Sequence, residues 1–471
     1  MLSSTPGELE RAAARLGFWY PPERRRAAAT LERAGASAVP VLARVLRRGS
    51  GPARSAAVRL LSAHYLAEVE GLLIEALRDR APTVRRTAMR ALGLRRSTAA
   101  LPALLGMVKS GPASCREAAI RALGRIGDPR AAPVLLEILA RDSLRTTVVE
   151  SLGMIGEPIA VPALVAILGE QGPSELQHVI LALGRIRHPD SAAALVDYAT
   201  RQRWTAPAIR QPLLRLGQCA VPALIDALDR DRTTVVFASE LLQELDEEAV
   251  PGLLEALDRP AATEGGSWRR RAHAAQVLGA IRSPASTPAL IRTLADPTVQ
   301  VRFEAALALG ELGDPAACPA LRTLLPDEAP SVQAAAAVAL ILCEGYEEAL
   351  IPLVVGGLDR SHPEFLRRRA LRALLQFTRA APTPALRAAI PRLRAALHPM
   401  GAAAGERDTV RRVLSEIEAA TGNLAALPLP AAGLEAQADQ LPRPAAAPDG
   451  APHSLPRPAP AADHEPEFLV P

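Results

Sequence analysis

A chain of 471 residues with 49% apolar but only 3% aromatic side chains must build its core from Leu, Ala, Val and Ile, a stock that suits closely stacked helices. The 55 basic residues include one lysine, Lys109, and the chain is rich in Ala, Pro, Leu and Gly; the arginine excess looks like GC-rich coding and weakens the case for a nucleic-acid partner. No run of about 18 apolar residues escapes a charge or a helix breaker, which argues against a membrane span.

Basic residues outnumber acidic ones 23 to 10 over residues 1–130, acidic exceed basic 18 to 11 over 131–260, and the two stand at 19 and 16 over 261–422. The array therefore has a basic end and an acidic middle. Cys115, Cys219, Cys318 and Cys343 lie far apart at small apolar positions, so they read as reduced core residues of a cytoplasmic protein.

In chain order, the opening Met-Leu-Ser-Ser-Thr-Pro-Gly-Glu has no apolar run behind a basic stretch, and no signal peptide is read there. Residues 6–35 read as two short helices broken at Gly17 to Pro22, with Phe18, Trp19 and Tyr20 in the break. We expect residues 1–36 to form a helical cap over the open end of a stack, since terminal repeats need sealing. Base stacking is the functional alternative for the aromatic trio.

Residues 37–380 are periodic. Leu-Gly recurs at Gly93, Gly124, Gly153, Gly184, Gly217, Gly279 and Gly310, beside prolines at 40, 102, 133, 162, 222, 251, 288, 319 and 352, with spacings near 31 residues or twice that. Where the proline column lapses, Glu70 and Ala193 hold its place. A fixed period of this kind predicts a stacked solenoid.

Residues 285–315 display one unit. Pro288 falls in the first turn of a short helix, where a missing N–H has no cost. Asp296 is expected to cap a second helix with Pro297 at its first position. Val301, Ala305, Leu309 and Leu312 then form an apolar stripe, and Gly313-Asp314-Pro315 ends the helix. The Leu-Gly and Gly-Asp-Pro pairs both read as helix-closing signals, and each unit as a helical hairpin.

Aligned this way, about eleven hairpins run from Ser37 to Arg379, and residues 381–422 form a C-terminal cap or a degenerate twelfth repeat. An insertion at Arg259 to Ser267 reads as a loop on one edge, and a tolerated insertion is favoured over a contact loop. Residues 423–471 have 11 prolines in 49 positions and no helical period, which predicts a disordered tail. Its repeated Leu-Pro-Arg-Pro and its ending Glu465-Pro-Glu-Phe-Leu-Val-Pro471 offer candidate docking segments for the array or a partner, with compositional drift as the plainer account of the repeat.

The hairpin, the period and strings such as Ala122-Leu-Gly-Arg-Ile-Gly-Asp-Pro-Arg130 resemble bacterial HEAT-like repeats of the phycobilin-lyase type over roughly residues 37–380. The resemblance implies an all-α fold, a right-handed α-solenoid of about 11–12 hairpins in an armadillo-like superhelix, with the second helix of each hairpin on the concave side. It leaves function open, because that family holds scaffolds, chromophore lyases, a metal-dependent hydroxylase and a DNA glycosylase.

The hydroxylase branch uses repeated His-Glu pairs, whereas the only pair here is His464-Glu465 in the tail. Histidines 178 and 273 read as surface or helix-packing residues. No nucleophile with a partner and no phosphate-binding glycine loop is found, so neither a catalytic site, a metal nor a cofactor is expected.

Eight residues before each Leu-Gly glycine, or its equivalent, stands an arginine ladder: Arg54, Arg85, Arg116, Arg145, Arg271, Arg302 and Arg367. Leu176, Ile209 and Ala238 interrupt it in the middle, and Gln333 near the end. In the resembling family this arginine bonds to acidic or carbonyl groups of adjoining turns, here Asp79, Asp142 or Asp296; the alternative is an anion-binding stripe. The central gap coincides with the acidic middle and with Trp204, Val235, Val236 and Phe237. We therefore take Leu176, Trp204, Ile209, Val236 and Phe237 as candidate partner-binding residues.

The expected function is a non-enzymatic scaffold that holds a protein partner along the concave face. One alternative is nucleic-acid binding through Arg24 to Arg26, Arg47, Arg48, Arg85, Arg86, Arg95 and Arg96; another, from the resemblance alone, is bilin-lyase-like chromophore handling.

Overall fold

The computed structural model describes residues 5–18, 20–64, 66–139, 144–169, 173–201, 206–258, 267–343, 347–358, 364–380, 390–391, 412 and 415–419. Among these residues every regular element is a helix, and none is long and apolar enough to cross a membrane. The chain divides into residues 1–421 and 422–471; the second unit, with the predicted tail, lies outside the described residues, as do the insertion at 259–266 and most of 381–422.

The first unit is an α-solenoid. A helical pair, Pro6–Arg15 and Pro21–Ala34, packs on a series of eleven two-helix units among the described residues, from Val39–Arg48 with Gly51–Leu61 to Ile351–Gly356 with Glu364–Ala380. The N-terminal pair stacks as a repeat does, Pro6–Arg15 on the first helix and Pro21–Ala34 on the second helix of the next unit.

The column prolines sit at the second residue of first helices, as Pro40 does in Val39–Arg48 and Pro288 in Thr287–Thr293, where the orphan N–H positions accept them. The second helix of that latter unit runs Val299–Leu312 and starts two residues later than the sequence suggests. Asp296 does not cap it. Its carboxylate accepts the Thr298 N–H at 2.8 Å within the turn and is held by Arg271, so the helix begins after Thr298. Gly313 does end it, in the left-handed region at φ +67°.

The predicted single stripe is wider in the structure. Residues 303–310 are all buried, because Val299–Leu312 is flanked by the second helices Trp268–Ile281 and Pro330–Cys343 and backed by its own first helix.

From Gly51–Leu61 to Pro173–Leu183 and from Trp268–Ile281 to Pro330–Cys343, successive second helices pack along their length and successive first helices touch sparsely, whereas in between the two layers pack to a similar extent. The second helices are thus the inner layer of the stack. Their Leu-Gly glycines do not close helices, contrary to the sequence reading. Gly279 lies inside its helix, and a Cβ there would stand 2.7 Å from Cα of Ala308 in the next second helix; at Gly153 the distance to Cα of Ala182 would be 2.6 Å. Gly184, just past the end of Pro173–Leu183, and Gly217 are the exceptions. Gly217 has φ +56° and ends its helix, occupying the place of Gly127, Gly156 and Gly313 three residues further along.

Helix ends are the business of that later column, and the Leu-Gly column is the place where two backbones meet. Cys115 and Cys318 are buried while Cys219 and Cys343 are half-buried, and none of the four forms a disulfide among the described residues.

Replacing Gly279 by Ala weighs about 1 kcal/mol of improved helix propensity against overpacking of about 1–3 kcal/mol. With the neighbour a backbone atom, overpacking wins, and Gly279→Ala should lower the thermal midpoint. Gly71 lies in the exposed helix Ala67–Ala76 with nothing within 4 Å of an added Cβ, so Gly71→Ala in the same calorimetric comparison should raise it.

Candidate partner-binding face of the second helices

The arginine ladder stands at the fourth residue of second helices, except Arg145, which is the first residue of Arg145–Ile155, and is turned toward the turns between helices. Arg54 donates from Nε and Nη2 to both carboxylate oxygens of Asp79 at 2.7 Å, and from Nη1 to the Gly49 carbonyl at 2.8 Å. Arg302 repeats this with Asp327 at 2.8 and 3.0 Å and with the Asp296 carbonyl at 3.0 Å. Arg271 holds Asp296 at 2.7 Å, and Arg145 approaches Glu175 at 3.3 Å.

Arg85 reaches the Asp79 carbonyl at 2.7 Å, and Gln333, where the ladder has no arginine, makes the matching bond to the Asp327 carbonyl at 2.6 Å. Arg116 and Arg367 are half-buried at the same place in their helices. The pairs with Asp79, Asp296 and Asp327 each join one unit to the turn of the next. Their hydrogen bonds hold the Asp79 and Asp327 carboxyls below the ordinary carboxylate range.

Across the gap, Leu176 is half-buried and Ile209 is fully buried in the core, with no surface for a partner. Ala238 and Ile209 are each one helical turn too far along: their reference residues Asp246 and Gly217 have φ +52° and +56° and belong to the helix-ending column, so the matching positions are Val235 and Ala206. Trp204 lies outside the described residues.

Val236 is brought to a groove of about 620 Å³ on the inner layer, over the second helices Arg232–Leu245, Trp268–Ile281 and Val299–Leu312. Val236 is 51% exposed and Trp268 44% exposed, and the Arg269 guanidinium lies 5.5 Å from the Trp268 ring centroid. Phe237, the next residue after Val236, turns into the core instead and is half-buried.

On the groove wall lies Glu304, only 6% exposed. Its Oε1 accepts from Gln300 Nε2 at 3.0 Å, while its buried Oε2 has no hydrogen-bond partner. Burial pushes this carboxyl up to about 7, against the opposing pull of Arg369 and Gln300; Arg369 itself pairs with Glu311 at 3.0 Å. Also on the groove are Glu240, Arg230, Arg232 and His273, whose Nδ1 is 2.9 Å from the Leu228 carbonyl.

Sequence reasoning missed Trp268 and Glu304. The first was legible as one of three tryptophans, and the second as a lone acid inside the otherwise apolar run 303–310.

A second cleft lies on the inner layer nearer the N-terminus, between Gly51–Leu61 and Pro82–Leu94. Exposed Arg59, Arg86 and Arg90 line it beside Ser55, Thr83 and Thr87, and these arginines carry no ion pair among the described residues. Arg96 lines a further cleft with Arg125 and Arg185. Of the other predicted basic residues, Arg85 and Arg95 are engaged with backbone carbonyls, Arg24 is half-buried, and Arg25, Arg26, Arg47 and Arg48 are exposed. Phe18 and Tyr20 are exposed, and Trp19 lies outside the described residues.

With this geometry in hand, a family model for HEAT repeats matches residues 69–146, 141–211 and 259–341. HEAT repeats run through three regions of the chain. No curated protein matches it. Similar solved structures include Kap121p bound to RanGTP, at 17% identity over 88% of this chain and 53% of that one, with a TM-score of 0.37.

Importin beta in an ammonium sulfate condition matches at 16% identity over 89% of this chain and 62% of that one, with a TM-score of 0.33. An engineered protein matches at 19% identity over 87% of this chain and 99% of that one, with a TM-score of 0.28. The chain spans about half to two-thirds of the length of the karyopherins it matches.

Because the folded-state pKa of Glu304 is raised from 4.5 to about 7, its contribution to stability is complete below the unfolded value and is lost as pH rises through the folded one. Glu304→Gln keeps the neutral shape and removes the titration. The facing charged groups Glu240, Arg230, Arg232, Arg269, His273 and Arg369 are unchanged in that variant, and Pro330–Cys343 brings no acidic or basic side chain. Urea titrations should give equal midpoints for the two proteins near pH 4.5 and a growing advantage for the variant up to pH 8.

Proposed function

We propose that this protein is a non-enzymatic scaffold that binds a segment of a partner protein along the inner layer of second helices, at the groove of Val236 and Trp268. The carrying observation is two large apolar side chains left exposed side by side on an otherwise braced stack, next to a buried and unfinished polar group. The bond pattern of the ladder supports assigning Arg54, Arg271 and Arg302 to the scaffold itself. We read the repeats as the phycobilin-lyase type on the Ala122 to Arg130 string, without bilin chemistry, and place the protein in the cytoplasm on its four widely spaced cysteines, which form no disulfide among the described residues.

The test is a photo-crosslinking amino acid at position 236, compared with one at Arg292, an exposed first-helix residue. Crosslinked proteins specific to position 236 and lost in Trp268→Ala are the expected outcome; identical patterns at both positions would refute the groove.

A second reading, nucleic-acid binding, rests on the cleft of Arg59, Arg86 and Arg90, three clustered cations with no ion pair among the described residues. Phosphates would satisfy them without sequence readout. Under this reading, duplex DNA should bind at 50 mM salt with affinity that falls steeply by 200 mM, and Arg86→Ala with Arg90→Ala should flatten the salt slope by about two. No binding at 50 mM removes it.

A further inference from the structure

The exposed pair Val236 and Trp268 does not say what kind of segment the groove prefers, but Glu304 does. Leaving a buried acceptor unsatisfied costs a protein about 1–3 kcal/mol, so Oε2 is a position where an arriving donor gains more than it would on the surface. Its polar neighbours in the groove do not supply that donor in this structure. Gln300 is committed to Oε1, Arg369 pairs with Glu311, and Arg269 lies against the Trp268 ring.

The surroundings narrow the occupant further. A carboxyl that titrates near neutrality loses its proton to water readily once a cation stands beside it, so an ammonium or guanidinium group fits Oε2 better than a neutral amide. The rim has the opposite polarity: Arg232 carries no ion pair among the described residues, and Arg269 sits over an aromatic face.

Resting on the scaffold reading above, we propose that the groove takes a protein segment whose Lys or Arg side chain reaches Glu304, with apolar neighbours on Val236 and Trp268 and acidic neighbours beside Arg232 and Arg269. Charge alternation along the segment then fixes its register: a cation inward, apolar groups across the groove, acids at the edge. The ladder takes no part, since its arginines at positions 271 and 302 are spent on Asp296 and Asp327.

The experiment uses the full chain and a phage-displayed library of random 16-residue peptides, with counter-selection against Trp268→Ala. Peptides recovered are synthesised with a fluorophore and titrated by anisotropy. The expected peptides share one Lys or Arg among apolar residues, flanked by acids. Replacing that cation by Gln in the peptide, or Glu304 by Gln in the protein, should each weaken binding by about tenfold or more.

Making both changes together should weaken binding little further, as expected of a pair in direct contact. Glu304→Gln retains the fold with raised stability above pH 7, so lost affinity in that variant is not lost structure. Peptides that need Trp268 but carry no cation, or that bind Glu304→Gln within twofold of the parent, overturn this inference and leave the scaffold reading standing. A library that yields no Trp268-dependent peptide overturns both.

Discussion

The stack depends on backbones that touch. At Gly93, Gly153, Gly279 and Gly310 the Cα of the next second helix sits where a side chain would begin, which brings the inner helices closer than side-chain packing alone allows. Everything else in the array follows from that approach: small Ala or Ser residues opposite each glycine, the inner position of the second helices, and the burial of Val299–Leu312 and Pro330–Cys343 around almost their whole circumference. Arginine–aspartate pairs then fix the turns relative to one another, so successive units are joined both at the helix centres and at their starts.

The period made the hairpins readable, because proline at the second position of one helix and glycine near the end of the other are local chemistry. What those residues do was less readable. A glycine within a helix and a glycine at its end look alike in one dimension. Gly217 and Asp246 were therefore aligned with the wrong column, and Ala238 was placed one turn beyond the ladder. Only the positive φ separates the two kinds of position. The same limit applies to Asp296, whose spacing suits a helix cap but whose carboxylate is drawn to an arginine 25 residues earlier in sequence.

For the site, the sequence pointed at the correct stretch and to only part of its chemistry. Val236 and Phe237 are neighbours in the chain, but the helix turns one outward and the other into the core. Ile209 is apolar because it is buried, one turn beyond the ladder position, so it belongs to core packing and not to a binding surface. Trp268 and Glu304 come from two other units and meet Val236 only through the stacking of three second helices. Such a juxtaposition is tertiary and leaves no spacing to find.

The struts between units also set mechanical properties. Arg54, Arg271 and Arg302 tie adjacent units through buried pairs, whereas the units around Leu176 and Val235 have apolar contact at that position and are tied instead by the partly exposed pairs of Arg210 with Glu240 and Glu244 and of Arg230 with Asp197. Apolar contact resists separation but not sliding, because it has no preferred direction. Resistance to sliding in the middle therefore rests on partly exposed pairs that salt screens, so raised ionic strength slackens the array first at Arg232–Leu245, the helix that carries Val236.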